Sequence, residues 1–232
     1  DAVEGAVRAA GGAVVRERNL DFGPIPSPRP YQLNLGIAVT AEQIDRFPDP
    51  EFDYELVVNV DPTTPPGVVA RLARLRHLHK VYLGIHEVRP LDPFDQSRRP
   101  PRPEAAWVAE LAALPHLEHL LLYRGFPSRP EDGFGDDVAA VLPAFPALRS
   151  VVGLTRITDA GAASLARMDR LERVIVGGPG LTDAGVARLA ALPRLRDLGL
   201  RQHPPLAAAA LRPFADHPRL RVLTTGPVGD DA

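Results

Sequence analysis

A chain of 232 residues is long enough for one sizeable repeat array or two small domains. It holds no cysteine, which excludes disulfide staples, thiolate metal sites and a cysteine nucleophile and leans its compartment toward the cytoplasm. The net charge of -2 leaves no chain-wide electrostatic footprint for nucleic acid, and no apolar run reaches the roughly 20 residues that span a membrane.

The opening segment, 1–30, reads as a cap. Residues 1–18 are Ala/Gly-rich with Arg16 and Arg18 late, which predicts a terminal helix rather than a signal peptide. With Asp1 where an initiator Met would stand, a fragment or processed product is expected. Lys80 is the single lysine beside abundant Arg, Ala and Pro, the coding habit of a GC-rich, bacterial genome.

Over 31–65 two degenerate repeats are expected. Leu33, Leu35, Ile37 and Val39 alternate, Thr40 caps a short helix through Phe47, and Tyr54, Leu56, Val58 and Val60 alternate again. Over 66–147 the spacing predicts helices near 66–75, 104–114 and 136–145, with strand phrases Leu78-x-x-Val81-x-Leu83 and Leu117-x-x-Leu120-x-Leu122. Proline-rich insertions at 89–103 and 124–135 lengthen these units. From 148 to 225 the units become regular, with helices near 159–168 and 206–215, and a frayed tail follows over 226–232.

The regular part repeats itself at an offset of 24 residues, from Ile157 to Leu181. Ile157-Thr158-Asp159-Ala160-Gly161 returns as Leu181-Thr182-Asp183-Ala184-Gly185, and Leu171-x-x-Val174-x-Val176 returns as Leu195-x-x-Leu198-x-Leu200. Leu148-x-x-Val151-x-Gly153 and Leu220-x-x-Leu223-x-Thr225 fit the same phrase in part. Intervals of 20–29 residues are those of leucine-rich repeats. In the unit beginning at Leu181, Thr182 is an N-cap, Asp183 lies in the first turn, Leu181 staples against Val186, and Pro193 stops the helix. Strand and helix alternating with short connections imply an α/β solenoid with parallel strands on one side and helices on the other.

These phrases resemble the leucine-rich-repeat superfamily, and they are similar to its ribonuclease-inhibitor and F-box-associated subclass with convex helices. The resemblance spans 148–225 strongly, 66–147 fairly and the segment before 60 weakly. It implies an arc with a concave parallel sheet whose members mostly bind proteins, and it carries no catalytic residues. One departure stands out. Where the family places Asn or Cys at the ninth position, this chain has His86, Gly125, Arg156, Pro179 and His203. Proline and glycine at such turns reduce the backbone donors that need partners.

In that register the third and fifth positions of each phrase face outward. The third carries Lys80, His119, Ser150, Arg173, Asp197 and Val222, and the fifth carries Tyr82, Leu121, Val152, Ile175, Gly199 and Thr224. Position seven adds Gly84, Tyr123, Leu154, Gly177 and Arg201. Apolar residues recurring on a wet face mark an interaction site, although strand propensity alone also favours Val, Ile and Tyr there. The insertions leave the same rim, where Phe94, Phe126 and Phe134 either anchor a partner or pack back on the sheet.

Other chemistry is not legible. His77, His79, His116 and His119 recur at turn and strand positions without a carboxylate at ligand spacing, and 131–137 does not match a calcium loop. There is no G-x-S-x-G, phosphate-binding glycine loop or paired-histidine zinc motif, so neither metal nor cofactor is expected. The basic patch Arg98, Arg99, Arg102 lacks the interleaved aromatics of a nucleic-acid site. The expectation is a protein- or peptide-binding module with no enzymatic activity. A structural or regulatory part of a larger enzyme or self-assembling chain is the alternative.

Overall fold

A computed structural model describes residues 2–9, 11–16, 31–35, 39–61, 63–85, 104–124, 133–201, 203–226 and 228–229. The chain divides into two compact units, Asp1–Leu117 with Tyr123–Phe126 and Glu118–Leu122 with Pro127–Ala232.

In the first unit, helix α1 spans Ala2–Ala9. It is shorter than the sequence suggests because Gly11, at φ 78°, turns the chain. The Gly11 and Gly12 amides donate to the carbonyls of Arg8 and Val7, each at 2.9 Å. Strand β1, Ala13–Arg16, then pairs antiparallel with β2, Tyr31–Asn34. Helix α2, Ala41–Arg46, starts in a capping box, with the Gln43 amide donating to Thr40 Oγ1 at 3.2 Å and the Thr40 amide to Gln43 Oε1 at 2.8 Å. Its last carbonyls, those of Ile44 and Phe47, accept from the Arg74 guanidinium.

Strands β3, Tyr54–Val60, and β4, Leu78–Ile85, run parallel to each other, and β2 runs parallel to β3. The segment between β3 and β4 is a 3-10 helix, Val69–Arg74, where an α-helix is expected. Helix α3, Glu104–Glu110, follows and tightens into a 3-10 turn over Leu111–Ala113. The Glu110 carboxylate accepts from the amides of Gly67 (2.6 Å) and Ala70 (3.0 Å), capping the 3-10 helix that has no side-chain cap of its own. Tyr54, Leu56, Val58, Leu78, Val81 and Leu83 form the core behind the strands.

In the second unit each strand is followed by a helix and pairs parallel with the next strand. The strands are β5 (His119–Arg124, of which the first four residues lie in this unit), β6 (Ser150–Leu154), β7 (Arg173–Gly177) and β8 (Asp197–Arg201). The helices are α4 (Asp136–Val141), α5 (Asp159–Leu165) and α6 (Asp183–Leu189). A short strand β9 (Leu206–Ala207) leads into α7 (Ala208–Ala215), β10 (Val222–Thr224) joins β8, and β11 (Val228–Gly229) pairs with β9. This is an α/β arrangement of parallel strands and helices. Its spine is buried as the repeated phrase predicts: Val151, Val174 and Leu198 are level with one another across β6–β8.

Two features of this unit differ from the sequence reading. Gly153, expected on the inward side, occupies a bulge at φ 101°, so Leu154 rather than Gly153 pairs with Val176. Leu154, placed by the sequence on the outer face, is therefore fully buried. Leu220 and Leu223, expected inside the spine, are half-buried and exposed respectively.

The helix starts are tied together by carboxylates. The Thr158 amide and hydroxyl donate to Asp136 at 2.8 and 2.6 Å, and those of Thr182 donate to Asp159 at 2.9 and 2.7 Å. Asp183 repeats the amide contact with Ala207 at 3.2 Å, where no hydroxyl exists to complete the pair. Each threonine hydroxyl also accepts its own N-cap bond, from Ala160 or Ala184. The Thr-Asp phrase thus caps one helix and anchors the start of the next. His203 accepts the Gly226 amide at 3.1 Å.

Candidate functional site

The outward residues of the second unit line up in two rows because the strands are in parallel register. His119, Ser150, Arg173, Asp197 and Val222 form one row, and Leu121, Val152, Ile175, Gly199 and Thr224 form the other. Leu121, Val152 and Ile175 are half-buried, an unbroken apolar stripe over three hydrogen-bonded strands. The stripe ends at Gly199, where a Cβ would lie only 3.2 Å from Ile175 Cγ1, so the isoleucine leans over the gap. Arg201, level with Gly177, is exposed beside it. In the polar row His119 is half-exposed while Arg173 keeps 9% of its surface.

Charge alternates along the residues that precede these strands. Arg149 reaches Glu118 (3.4 Å) and Glu172 (3.1 Å), and Arg196 reaches Glu172 (3.2 Å). Backbone geometry there is repeated too: the Glu172 carbonyl accepts from both Arg196 (2.7 Å) and Asp197 (3.0 Å), and the Arg196 carbonyl from Arg221 (2.8 Å) and Val222 (3.0 Å). Such exposed pairs contribute little stability, about 0–1 kcal/mol each.

The remaining site residues lie elsewhere. Lys80 and Tyr82, read from the sequence as outward and wet, belong to the first unit and retain 8% and 5% of their surface. Both contact Glu55, Lys80 Nζ at 3.2 Å and the Tyr82 hydroxyl at 3.2 Å, and the ammonium sits 4.9 Å from the Tyr82 ring centre. Tyr123 is half-buried in the same unit and donates its hydroxyl to Asn59 Oδ1. Gly84 makes room for that bond, since a Cβ there would lie 2.4 Å from the Tyr123 hydroxyl oxygen. Burial pushes the Tyr123 phenol above its ordinary pKa. Phe94 and Phe126 lie outside the described residues, whereas Phe134 is buried.

Sequence reasoning missed the buried pair Arg124–Glu104 in the first unit. Neither residue belongs to the repeated phrase, and 20 positions part them in the chain. Among the described residues no three His, Asp or Glu gather as metal ligands, and no helix is long and apolar enough to cross a membrane. No protein-family model matches the chain, and no curated protein matches it either.

Proposed function

We propose that the second unit is a leucine-rich-repeat-type solenoid whose outer strand face binds another protein or peptide, as a recognition module rather than an enzyme. The observation that carries this reading is the stripe Leu121, Val152, Ile175, half-exposed on consecutive strands and bordered by His119, Arg173, Asp197 and Arg201. Apolar side chains held in register on a rigid sheet suit docking, and a polar border supplies orientation. Support for the repeat reading comes from the 24-residue phrase and from the Asp–Thr ties between helix starts.

Leu121→Glu tests the assignment. The side chain is half-buried on the outer row, so the charge should cost the fold little, within about 0.5 kcal/mol as for ordinary surface changes. It should nonetheless remove the proteins that the wild-type chain captures by cross-linking in extracts of its source cell. An unchanged captured set would reject the face, and so would a collapse of thermal stability.

The second reading, a structural part of a self-assembling chain, draws on Leu223, a large apolar side chain left 38% exposed.

A further inference from the structure

We propose that the open edge of β10 pairs antiparallel with β10 of a second copy, joining two chains across a twofold axis at Leu223. Among the described residues β10 has a neighbour on one side only, β8. Val222 and Thr224 are level with Asp197 and Gly199, and the Val222 amide donates to the Arg196 carbonyl at 3.0 Å. In a parallel ladder the backbone groups of successive residues point to opposite edges. The amide and carbonyl of Leu223 therefore face away from β8, toward the open side.

The same residue is the exposed one. Its counterparts Val151, Val174 and Leu198 are at most 1% accessible, whereas Leu223 keeps 38% of its surface. The cover also thins just before it. His217 stands where Phe145, Met168 and Leu192 are buried in earlier units, and it is half-exposed. Its ring is committed to the backbone, with Nδ1 accepting the Leu220 amide (3.1 Å) and Nε2 on the Leu192 carbonyl (2.9 Å).

A second copy fits this edge because the edge is complementary to itself. With the axis at Leu223, the two leucines exchange both N–H···O bonds as a hydrogen-bonded antiparallel pair. Val222 then opposes Thr224, and Arg221 opposes the Thr225 hydroxyl, so no like charges meet. Natural edge strands are protected by shortness, charge, proline or a bulge; β10 is short, and Val222-Leu223-Thr224 carries no charge, proline or bulge. Pairing two identical edges uses both and stops, which a parallel or head-to-tail addition would not.

The absence of cysteine makes the test clean. Light scattering on the full chain should give twice the 25.0 kDa protomer mass. Leu223→Lys should return it to a monomer with an unchanged far-UV circular dichroism spectrum. Leu223→Cys should oxidise to a disulfide dimer, because a hydrogen-bonded antiparallel pair sets Cα atoms about 5.5 Å apart, within the span of a disulfide. Arg212→Cys, exposed on α7, should not. A monomer at every concentration, a dimer that survives Leu223→Lys, or equal cross-linking at both cysteines would overturn the proposal. Should Leu223→Lys fail to fold, the two cysteine variants decide alone. The dimer should persist in Leu121→Glu, which separates this edge from the outer face.

Discussion

A Cβ on Gly185 would lie 2.2 Å from Asp159 Oδ1 and 2.8 Å from a Leu181 methyl, and one on Gly161 would lie 2.4 Å from Asp136 Oδ1. These two glycines sit inside helices, where alanine ordinarily gains about 0.5–1 kcal/mol over glycine. Here the missing methyl leaves room for the carboxylate of the preceding unit to reach its threonine. Gly185→Ala should therefore destabilise the protein, on the order of 1 kcal/mol, as the displaced Asp159 loses charge-assisted bonds that outweigh the helix gain. Urea unfolding measures this directly. Its signature is a cycle: in an Asp159→Ala background the same Gly185→Ala change should become neutral or stabilising, since nothing remains to be displaced. A stabilised single variant would remove the carboxylate from the explanation of the Thr-Asp-Ala-Gly phrase.

Elements were legible where a local signal bounds them. Thr40 and Thr182 announce helix starts that the caps bear out, and the alternating leucines mark strands whose inner residues are buried, β10 excepted. What escaped depends on partners distant in sequence. Lys80 read as a wet position, yet it meets Glu55 across β3 and β4 and both are buried. The bulge in β6 escaped for another reason: one extra residue inverts the side-chain parity that sequence patterns assume, turning Leu154 inward. Gly153 sustains it at φ 101°, and a Cβ there would lie 1.9 Å from the Leu122 carbonyl oxygen. Gly153→Ala should cost at least the roughly 1–3 kcal/mol of a non-glycine residue in that backbone region, plus the displacement of β5. A melting temperature equal to wild type would show that the bulge can relax and that Leu154 is not held inward by it. The outer rows within the second unit were legible once register was known, because parallel pairing preserves the order of the repeated phrase.

At the scale of the whole molecule, stability should carry an acid limb that the carboxylates tying the helix starts shape. Burial by itself would raise the Asp159 pKa, but the Thr182 amide and hydroxyl, Arg188 and the Gly185 amide outweigh it and hold the carboxyl below its ordinary value. A carboxyl depressed in the folded state binds fewer protons than its unfolded counterpart, so stability rises with pH through that window. The contribution is complete above the unfolded value of about 3.9 and is lost as pH falls through the lower folded value. Many other carboxylates titrate in the same range, which makes a single melting curve uninformative and a difference curve decisive. Asp159→Asn keeps an acceptor for the Thr182 amide and removes the charge, so its deficit relative to wild type isolates the ionised form. That deficit should be constant from pH 7 to about 5 and shrink below about 4, because the wild-type carboxylate is then being protonated toward the neutral state the variant already has. A deficit that stayed level to pH 3, or widened there, would mean that the charge at Asp159 does not couple to folding and that the tie between helix starts rests on its hydrogen-bond geometry alone.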